Sequence, residues 1–371
     1  MAPVGSSVND SLKSYALDLI SGRATGARAF ALRRLLAAAE PFYAGAVRAR
    51  NGLFDAGIKR VRRLDRPVIS VGNITTGGTG KTPMVRWLAE RLRTDGKTVA
   101  ILSRGYRAKD NNLGDELTML DRALNVPGSK PILIQASPDR FRAGTSLLRE
   151  HPDIDVFLLD DGFQHRRVSR DFELVLISAI EPFGFGHMLP RGLLREPLAG
   201  LKRADAVVIT HADQVSERQL DAIKSEIRKY NPAAAVYQAV HRQIGLRLAG
   251  DKSIAAPINH LSSHRFFAFC GIGSPLLFEK QLKQFGGAYA GGYWFGDHHQ
   301  YSPSDMKDLA RQAKAAGAES LVTTEKDWVK IESFACDMPV WRVEVQIQFQ
   351  DEHERMLLGE IQAAMELPRA Q

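Results

Sequence analysis

Two kinds of hydrophobic pattern divide this chain. Over 68–71, 98–102, 131–135, 156–159, 174–177 and 206–210 nearly every position is apolar, with no alternation. Runs of that kind are strands buried on both faces, and they predict a mostly parallel sheet covered by helices. Between them apolar positions recur every three or four residues. Over 83–93 they are Val85, Leu88, Ala89 and Leu92, one face of a helix, and a further helix is expected over 141–150. In such a sheet the chemistry sits at the carboxyl ends of the strands.

The pattern loses regularity over 241–264 and then restarts. A strand over 266–269, a glycine turn at Gly271 and Gly273, a helix over 277–285, a strand running into Phe295, a helix over 304–316 and a strand over 320–323 make a second β/α series. The expected organisation is a core domain over 67–240, a smaller α/β domain over 241–345 and a C-terminal helix within 346–371. That helix should turn Met356, Leu357, Ile361 and Met365 inward.

Residues 1–66 follow a third pattern. Leu12, Tyr15, Ala16, Leu19 and Ile20 recur at helical spacing, as do Phe30, Leu32, Leu35 and Leu36, then Phe42, Tyr43, Ala46 and Val47. Charge sharpens this. Twelve basic and five acidic residues give this segment +7, whereas the remainder, with 38 basic against 37 acidic, is nearly neutral. There is no secretory signal, and the most apolar piece, 35–47, is too short to span a bilayer and contains Glu40 and Pro41. Basic amphipathic helices of this type lie in the plane of an anionic membrane surface. The plainer alternative is a helical hairpin packed on the protein's own core. No nucleic-acid-binding motif accompanies the charge. Two distant cysteines, Cys270 and Cys336, argue against a disulfide scaffold or a zinc site and fit a reducing compartment.

The most informative stretch is 68–82, VISVGNITTGGTGKT. A strand runs into a loop with Gly77, Gly78 and Gly80, which delivers Lys81 and Thr82 to a helix start. Glycines let backbone N–H groups close on an anion, and the helix dipole favours its charge. Lys81 reaches β/γ-phosphates and the Thr82 hydroxyl suits Mg²⁺. The loop 75–80, with Thr75, Thr76, Gly77, Gly78, Thr79 and Gly80, is therefore the expected nucleotide phosphate cradle, the mark of a P-loop NTPase-like core. Thr75 stands where the general motif has glycine.

Asp160 and Asp161 close the apolar run at 156–159, the form of a Walker B acid that reaches Mg²⁺. A strand-end turn with solvated aspartates is the bland reading. Asp115, in Gly114-Asp115-Glu116, is a candidate base for an attacking hydroxyl, or else an acidic loop residue. His298, beside Asp297 and His299, is a candidate for proton handling. Spacing alone does not separate it from His299 or from a polar turn. Arg140, Arg191 and Arg195 are candidates for an anionic substrate, against surface salt bridges of little energy. Thr210-His211-Ala212-Asp213 and Thr323-Thr324-Glu325-Lys326-Asp327 loosely resemble guanine-reading loops, but neither has the required Lys-x-Asp placement.

Taken together, VGNITTGGTGKTP (71–83), SRGYRAK (103–109), GDE (114–116), SPDR (137–140), DDGFQHRRVSRDFELVLI (160–177), LPRGLLREP (189–197), DHHQYS (297–302) and TEKDWVK (324–330) resemble one family. It is tetraacyldisaccharide 4'-kinase, the lipid A 4'-kinase of Gram-negative bacteria. The resemblance covers about 65–330, and the family's own loop begins with threonine, which accounts for Thr75. It implies transfer of the ATP γ-phosphate to the 4'-hydroxyl of an acylated glucosamine disaccharide 1-phosphate, yielding lipid IVA, with Mg²⁺. By the same resemblance Lys81 serves the β/γ-phosphates, and Thr82, Asp160 and Asp161 serve the metal. Asp115 is the catalytic aspartate, His298 its partner, and Arg140 and Arg195 the substrate-side arginines. A peripheral place on the cytoplasmic face of the inner membrane follows for the basic segment, with no nucleic acid and no obligate protein partner. Leu117 and Arg191 depart from the residues common in the family at those places. Two other readings compete: a membrane-associated ATPase acting as a nucleotide switch without a small-molecule product, and a non-enzymatic membrane-binding module. A switch of that kind usually carries lysine where Thr76 stands. The binding module would leave the glycine loop and Asp160-Asp161 idle.

Overall fold

The structure, a computed structural model, describes residues 15–105, 114–248, 254–273, 275–286, 288–297 and 299–367. The chain divides into two compact units, Asp18–His241 with Ile347–Gln371, and Arg242–Gln346.

The first unit is built on a parallel sheet. Its strands are β1 (Val68–Asn73), β2 (Val99–Ser103), β3 (Leu133–Ala136), β4 (Val156–Asp160), β5 (Phe172–Ser178), β6 (Ala206–Thr210) and the start of β7 (Ala235–Leu248). The order is β3-β2-β4-β1-β5-β6-β7, so β1 lies at the centre between β4 and β5. Successive residues of a strand face opposite sides. On one side Ile69, Val71, Val156, Leu158, Leu174 and Leu176 meet Met84, Trp87 and Leu88 of helix Lys81–Thr94 and Leu357 and Ile361 of helix His353–Glu366. On the other, Val68, Phe157 and Leu159 pack with Ala143 and Leu147 of helix Arg140–Glu150, while Val175, Ile177, Val207 and Ile209 pack with Leu220 and Ile227 of helix Glu217–Tyr230. Burial on both faces is why these strands read as unbroken apolar runs. At Gly72 a side chain would meet Phe163, whose Cβ and N lie 2.6 Å from where a Cβ would stand. Met356, expected to face inward, is 52% exposed, while Leu357 and Ile361 are buried and Met365 packs against the core. Three of the four expected positions thus face the core, and Met356 lies outside the stripe.

Helix Ala27–Asp55 runs through Pro41 without ending, so the apolar stretches 30–36 and 42–47 lie on one helix, while 15–20 is helical separately. At 29 residues it is about 43 Å long at 1.5 Å per residue. Only Ala29, Ala44 and Phe54 are buried, while Phe42 is 82%, Leu35 65% and Phe30 56% exposed. Glu40 and Tyr43 tie the helix to the segment 188–195: Glu40 Oε1 accepts from Met188 N at 2.9 Å, and Tyr43 Oη donates to Arg195 O at 3.1 Å. Among the described residues no helix is long and apolar enough to cross a membrane.

In the second unit, β9 (Phe266–Cys270), β10 (Tyr289–Trp294), β11 (Ser320–Thr324) and β12 (Val340–Phe349, as far as Gln346) form a parallel sheet in the order β10-β9-β11-β12, and β8 (Ala255–Pro257) pairs antiparallel with β7. Phe267, Phe269, Leu309, Leu321 and Trp328 fill one side and Phe266, Ala268, Phe278, Leu282 and Val322 the other. Asp327 is fully buried there. Its Oδ2 accepts from Gly271 N at 3.0 Å and Thr324 Oγ1 at 2.7 Å, and Oδ1 lies 3.6 Å from Lys330 Nζ.

Candidate active site

The glycine loop is held by its ends. Asn73, the last residue of β1, is buried and donates from Nδ2 to Thr79 Oγ1 at 2.9 Å. The other end leans on the segment 193–195: Thr76 N donates to Leu193 O at 2.8 Å and Arg195 N to Ile74 O at 2.8 Å, around a bridge between Thr75 and Leu194. Thr75 and Thr79 are buried, so these two expected cradle residues shape the loop from inside, whereas Gly77 and Gly78 are exposed at its tip. Gly80 is left-handed at φ 84° and opens helix Lys81–Thr94, whose first N–H groups have no intrahelical acceptor. Those donors, the positive end of the helix dipole and Lys81 converge on one place, which makes it an anion site.

Register brings the acids to it. Val71 lies beside Asp160 across the β1–β4 pair. The Asp160 carboxyl accepts from Ser103 Oγ at 3.0 Å, and burial, then the neighbouring Asp161, raise it above the usual carboxylate range. Asp161 takes a positive φ of 49°, uncommon for a side-chain-bearing residue. This corner turns its carboxylate onto two cations: Arg195 donates Nη1 to Oδ1 at 2.7 Å and Nη2 to Oδ2 at 3.0 Å, and Lys81 Nζ lies 3.7 Å from Oδ1. Burial alone would raise the Asp161 carboxyl. The Arg195 hydrogen bonds and the charges of Lys81 and Arg195 outweigh it and hold it at about 2. Arg195 Nη1 also donates to Asn73 Oδ1 at 3.1 Å, so one guanidinium joins the acid corner to the loop.

Lys81, Thr82, Asp160, Asp161 and Arg195 therefore gather at one end of β1 and β4, with Thr82 half-buried in the helix's first turn. The arginines expected to meet substrate are engaged otherwise. Arg140 is 3% exposed and donates Nη2 to Asp160 O at 2.8 Å, and Arg195 is spent on Asp161 and Asn73. Arg191 pairs with Glu40 at 3.3 Å, the salt bridge of the plainer reading. Asp115 begins helix Asp115–Leu124, and its side chain lies outside what the structure describes, as does the whole of His298. In the second unit His299 Nε2 lies 3.3 Å from Asp305 Oδ2 and its ring stacks on Phe295 at 4.3 Å. Sequence reasoning missed Asn73, Ser103 and Thr210. A polar residue closing an apolar run, aimed at a loop rather than at solvent, was the available signal.

A cavity of about 290 Å³ is lined by Phe30, Arg33, Arg34 and Leu36 of the long helix and by His187 and Arg191. It joins apolar and cationic walls. Among the described residues no group of three or more His, Cys, Asp and Glu side chains is placed to hold a metal.

Comparison with known proteins is consistent throughout. The sequence model of a family described as tetraacyldisaccharide-1-P 4'-kinase matches residues 32–362. A tetraacyldisaccharide 4'-kinase of Geobacter metallireducens is 40% identical over 80% of this chain and 88% of its own length. One of Halothermothrix orenii is 33% identical over 86% of this chain and 88% of its own length. The crystal structure of Aquifex aeolicus LpxK in complex with ATP matches 89% of this chain and 99% of its own, with TM-score 0.68 and 28% identity.

Proposed function

The chain belongs to the tetraacyldisaccharide-1-P 4'-kinase family, and from that membership we propose how its residues carry out the family's reaction. It is a kinase of lipid A biosynthesis that takes the γ-phosphate of ATP to the 4'-hydroxyl of an acylated glucosamine disaccharide 1-phosphate. The observation that carries the reading is the cluster of Lys81, Asp161 and Arg195 over the start of helix Lys81–Thr94, at the mouth of the glycine loop.

In the reaction the 4'-oxygen bonds to Pγ, the bond from Pγ to the β,γ-bridging oxygen breaks, ADP leaves and the hydroxyl proton passes to a base. Such a transfer needs positioning and charge neutralisation more than covalent chemistry. The loop 75–80 and the helix start bind the β- and γ-phosphates, and Lys81 takes up charge that grows on the bridging oxygen. Thr82 and Asp160 are oxygen donors of the kind Mg²⁺ takes alongside nucleotide phosphates, and a cation relieves the cost of burying the Asp160 carboxylate. When bound, Mg²⁺ supplies charge neutralisation between the β- and γ-phosphates. Asp161 orients Lys81. Arg195 and Arg140 act as positioning residues for the Asp160-Asp161 corner, a role their hydrogen bonds support in place of contact with the lipid phosphate. Asp115 is the base and His298 its partner, both carried from the family's motifs.

The acceptor's acyl chains are held in a bilayer. Helix Ala27–Asp55 exposes Phe30, Leu35 and Phe42 and carries Arg28, Arg33, Arg34 and Arg48, a composition that suits the anionic cytoplasmic face of the inner membrane. The cavity walled by Arg33, Arg34 and Arg191 beside Phe30 adds to that match. The deciding experiment is purified protein with Mg·ATP and the acylated disaccharide 1-phosphate in detergent. A 4'-phosphorylated lipid is expected, and ATP hydrolysis without it would return the nucleotide-switch reading.

A further inference from the structure

Two strand ends beneath the glycine loop carry side chains that the reaction as described does not use. Thr210 closes β6, and its Oγ1 donates to Thr79 O at 3.0 Å. His241 stands on β7, and its ring fills the space next to Gly80. A Cβ built on Gly80 would lie 2.5 Å from His241 Nε2 and 2.6 Å from Cε1. His211 supports that ring from behind, stacked on it with centroids 4.1 Å apart and planes 26° apart. His211 is itself fixed in the left-handed region at φ 55°, with Nδ1 3.3 Å from Ser178 Oγ and 3.4 Å from Thr210 Oγ1.

These contacts fall on the two residues that matter most to the loop's last turn. In a trans peptide the carbonyl and the next N–H point in opposite directions. Tying Thr79 O down to Thr210 therefore turns Gly80 N–H away from β6. His241 packs against Gly80 where any side chain would stand, which closes the position to all but glycine, and Gly80 takes the left-handed arrangement at φ 84° and ψ 26° from which the helix starts. Burial keeps both rings neutral: His211 is held down at about 4, and His241 lies well below the usual histidine range. The imidazoles thus act by shape. Among the described residues His241 Nδ1 has no hydrogen-bond partner.

We propose that Thr210 and His241, with His211 behind it, are positioning residues for nucleotide binding, forming a floor that presets the Thr79–Gly80 peptide so that the loop's N–H groups meet the phosphates of ATP. The proposal rests on the reading of the loop as the ATP cradle. Preorganisation of this kind removes an ordering cost on binding, so its loss appears in ATP affinity rather than in the chemical step.

The test uses the full chain and ATP titration, with steady-state kinetics on the acylated disaccharide 1-phosphate and thermal melting of each variant. His241→Ala and Thr210→Val are each expected to weaken ATP binding about tenfold, with kcat at saturating ATP and the KM for lipid within threefold of the parent. His241→Phe, which keeps a flat ring against Gly80, is expected to recover most of the lost affinity. ATP binding within twofold of the parent in Thr210→Val, or in a folded His241→Ala, overturns the proposal, as does a fall in kcat at unchanged ATP affinity. If His241→Ala does not fold, Thr210→Val and His241→Phe decide. Lys81→Ala is the control arm. Parental ATP affinity together with parental kcat there removes the cradle reading itself, whereas a loss of either alongside unaltered floor variants removes only this inference.

Discussion

Arg195 holds Asp161 through two parallel hydrogen bonds, Nη1 to Oδ1 at 2.7 Å and Nη2 to Oδ2 at 3.0 Å. The fork matters because lysine offers one point charge where arginine offers a plane. Arg195→Lys should therefore keep the charge and lose the geometry, lowering kcat/KM about 10- to 100-fold while the protein stays folded. Steady-state kinetics at several ATP concentrations read this out, and parental activity in Arg195→Lys would mean that charge alone suffices.

The same pair sets a pH dependence. The Asp161 carboxyl is held at about 2 in the folded protein, below an unfolded value of about 3.9. A depressed carboxyl contributes stability that is complete above its unfolded value and is lost as pH falls through its folded value. The contribution of Asp161 should thus fade between about pH 4 and pH 2, and Arg195→Met should shrink it. Urea unfolding of both proteins across that range measures the effect. Parallel curves would remove Arg195 as the cause.

In the proposed reaction Lys81 takes up the charge that grows on the transferring phosphate. Lys81→Ala should reduce kcat by about two to three orders of magnitude, the scale of losing one preorganised stabilising group. Asp161 keeps Arg195 in that variant, so the melting temperature should stay close to the parent value. A large drop in melting temperature would make Lys81 a structural cation instead.

Asp115→Ala should lower kcat about 10²- to 10⁴-fold, the usual worth of a general base, with ATP affinity within twofold of the parent. Separate nucleotide titration and lipid phosphorylation assays distinguish the two effects. Loss of ATP binding would move Asp115 from proton acceptor to nucleotide site.

Asp327 in the second unit is buried with three partners. Asp327→Ala would leave the Lys330 ammonium, 4% exposed, without its counter-charge and with only the His299 carbonyl, 3.2 Å away, as acceptor. A destabilisation of about 3–5 kcal/mol is expected, since removing one member of a buried pair strands the other. Denaturant unfolding measures it, and a loss under about 1 kcal/mol would show that the His299 carbonyl suffices for Lys330.

Phe42 and Leu35 face solvent, so serine at both positions should leave folding intact and weaken binding to anionic vesicles. Replacing Arg28, Arg33 and Arg34 should weaken binding at low salt more than at high salt, because exposed charge is screened over about 8 Å at physiological ionic strength. Vesicle binding indifferent to both sets would leave the helix without a membrane task.

The strands were legible because the central ones of the first unit are buried on both faces. The run predicted over 206–210 is strand Ala206–Thr210, and the glycine loop leads into helix Lys81–Thr94 where its motif places it. The long helix was harder to read, since its apolar positions came as separate short stretches. Its neighbours keep the helix intact across Pro41, and Glu40 and Tyr43 hold it to the segment 188–195. Met356 was misplaced because a heptad-like run of apolar residues does not say which of two adjacent positions faces the core.

Local chemistry, and with it most of the functional reading, was carried by the sequence itself. A glycine loop between a strand and a helix can only be built one way, and Lys81, Thr82, Asp160 and Asp161 keep their meaning because each is fixed to a strand or helix end by covalent neighbours. Pairing was decided by the tertiary structure alone. That Arg195 grips Asp161, that Arg140 turns inward to a carbonyl, and that Thr210 and His241 lie under Thr79 and Gly80 depends on contacts between residues 34, 20, 131 and 161 positions apart. No periodicity along the chain encodes such contacts. They follow from the order in which β4, β1, β5, β6 and β7 lie side by side, which brings strand ends distant in sequence to a common edge.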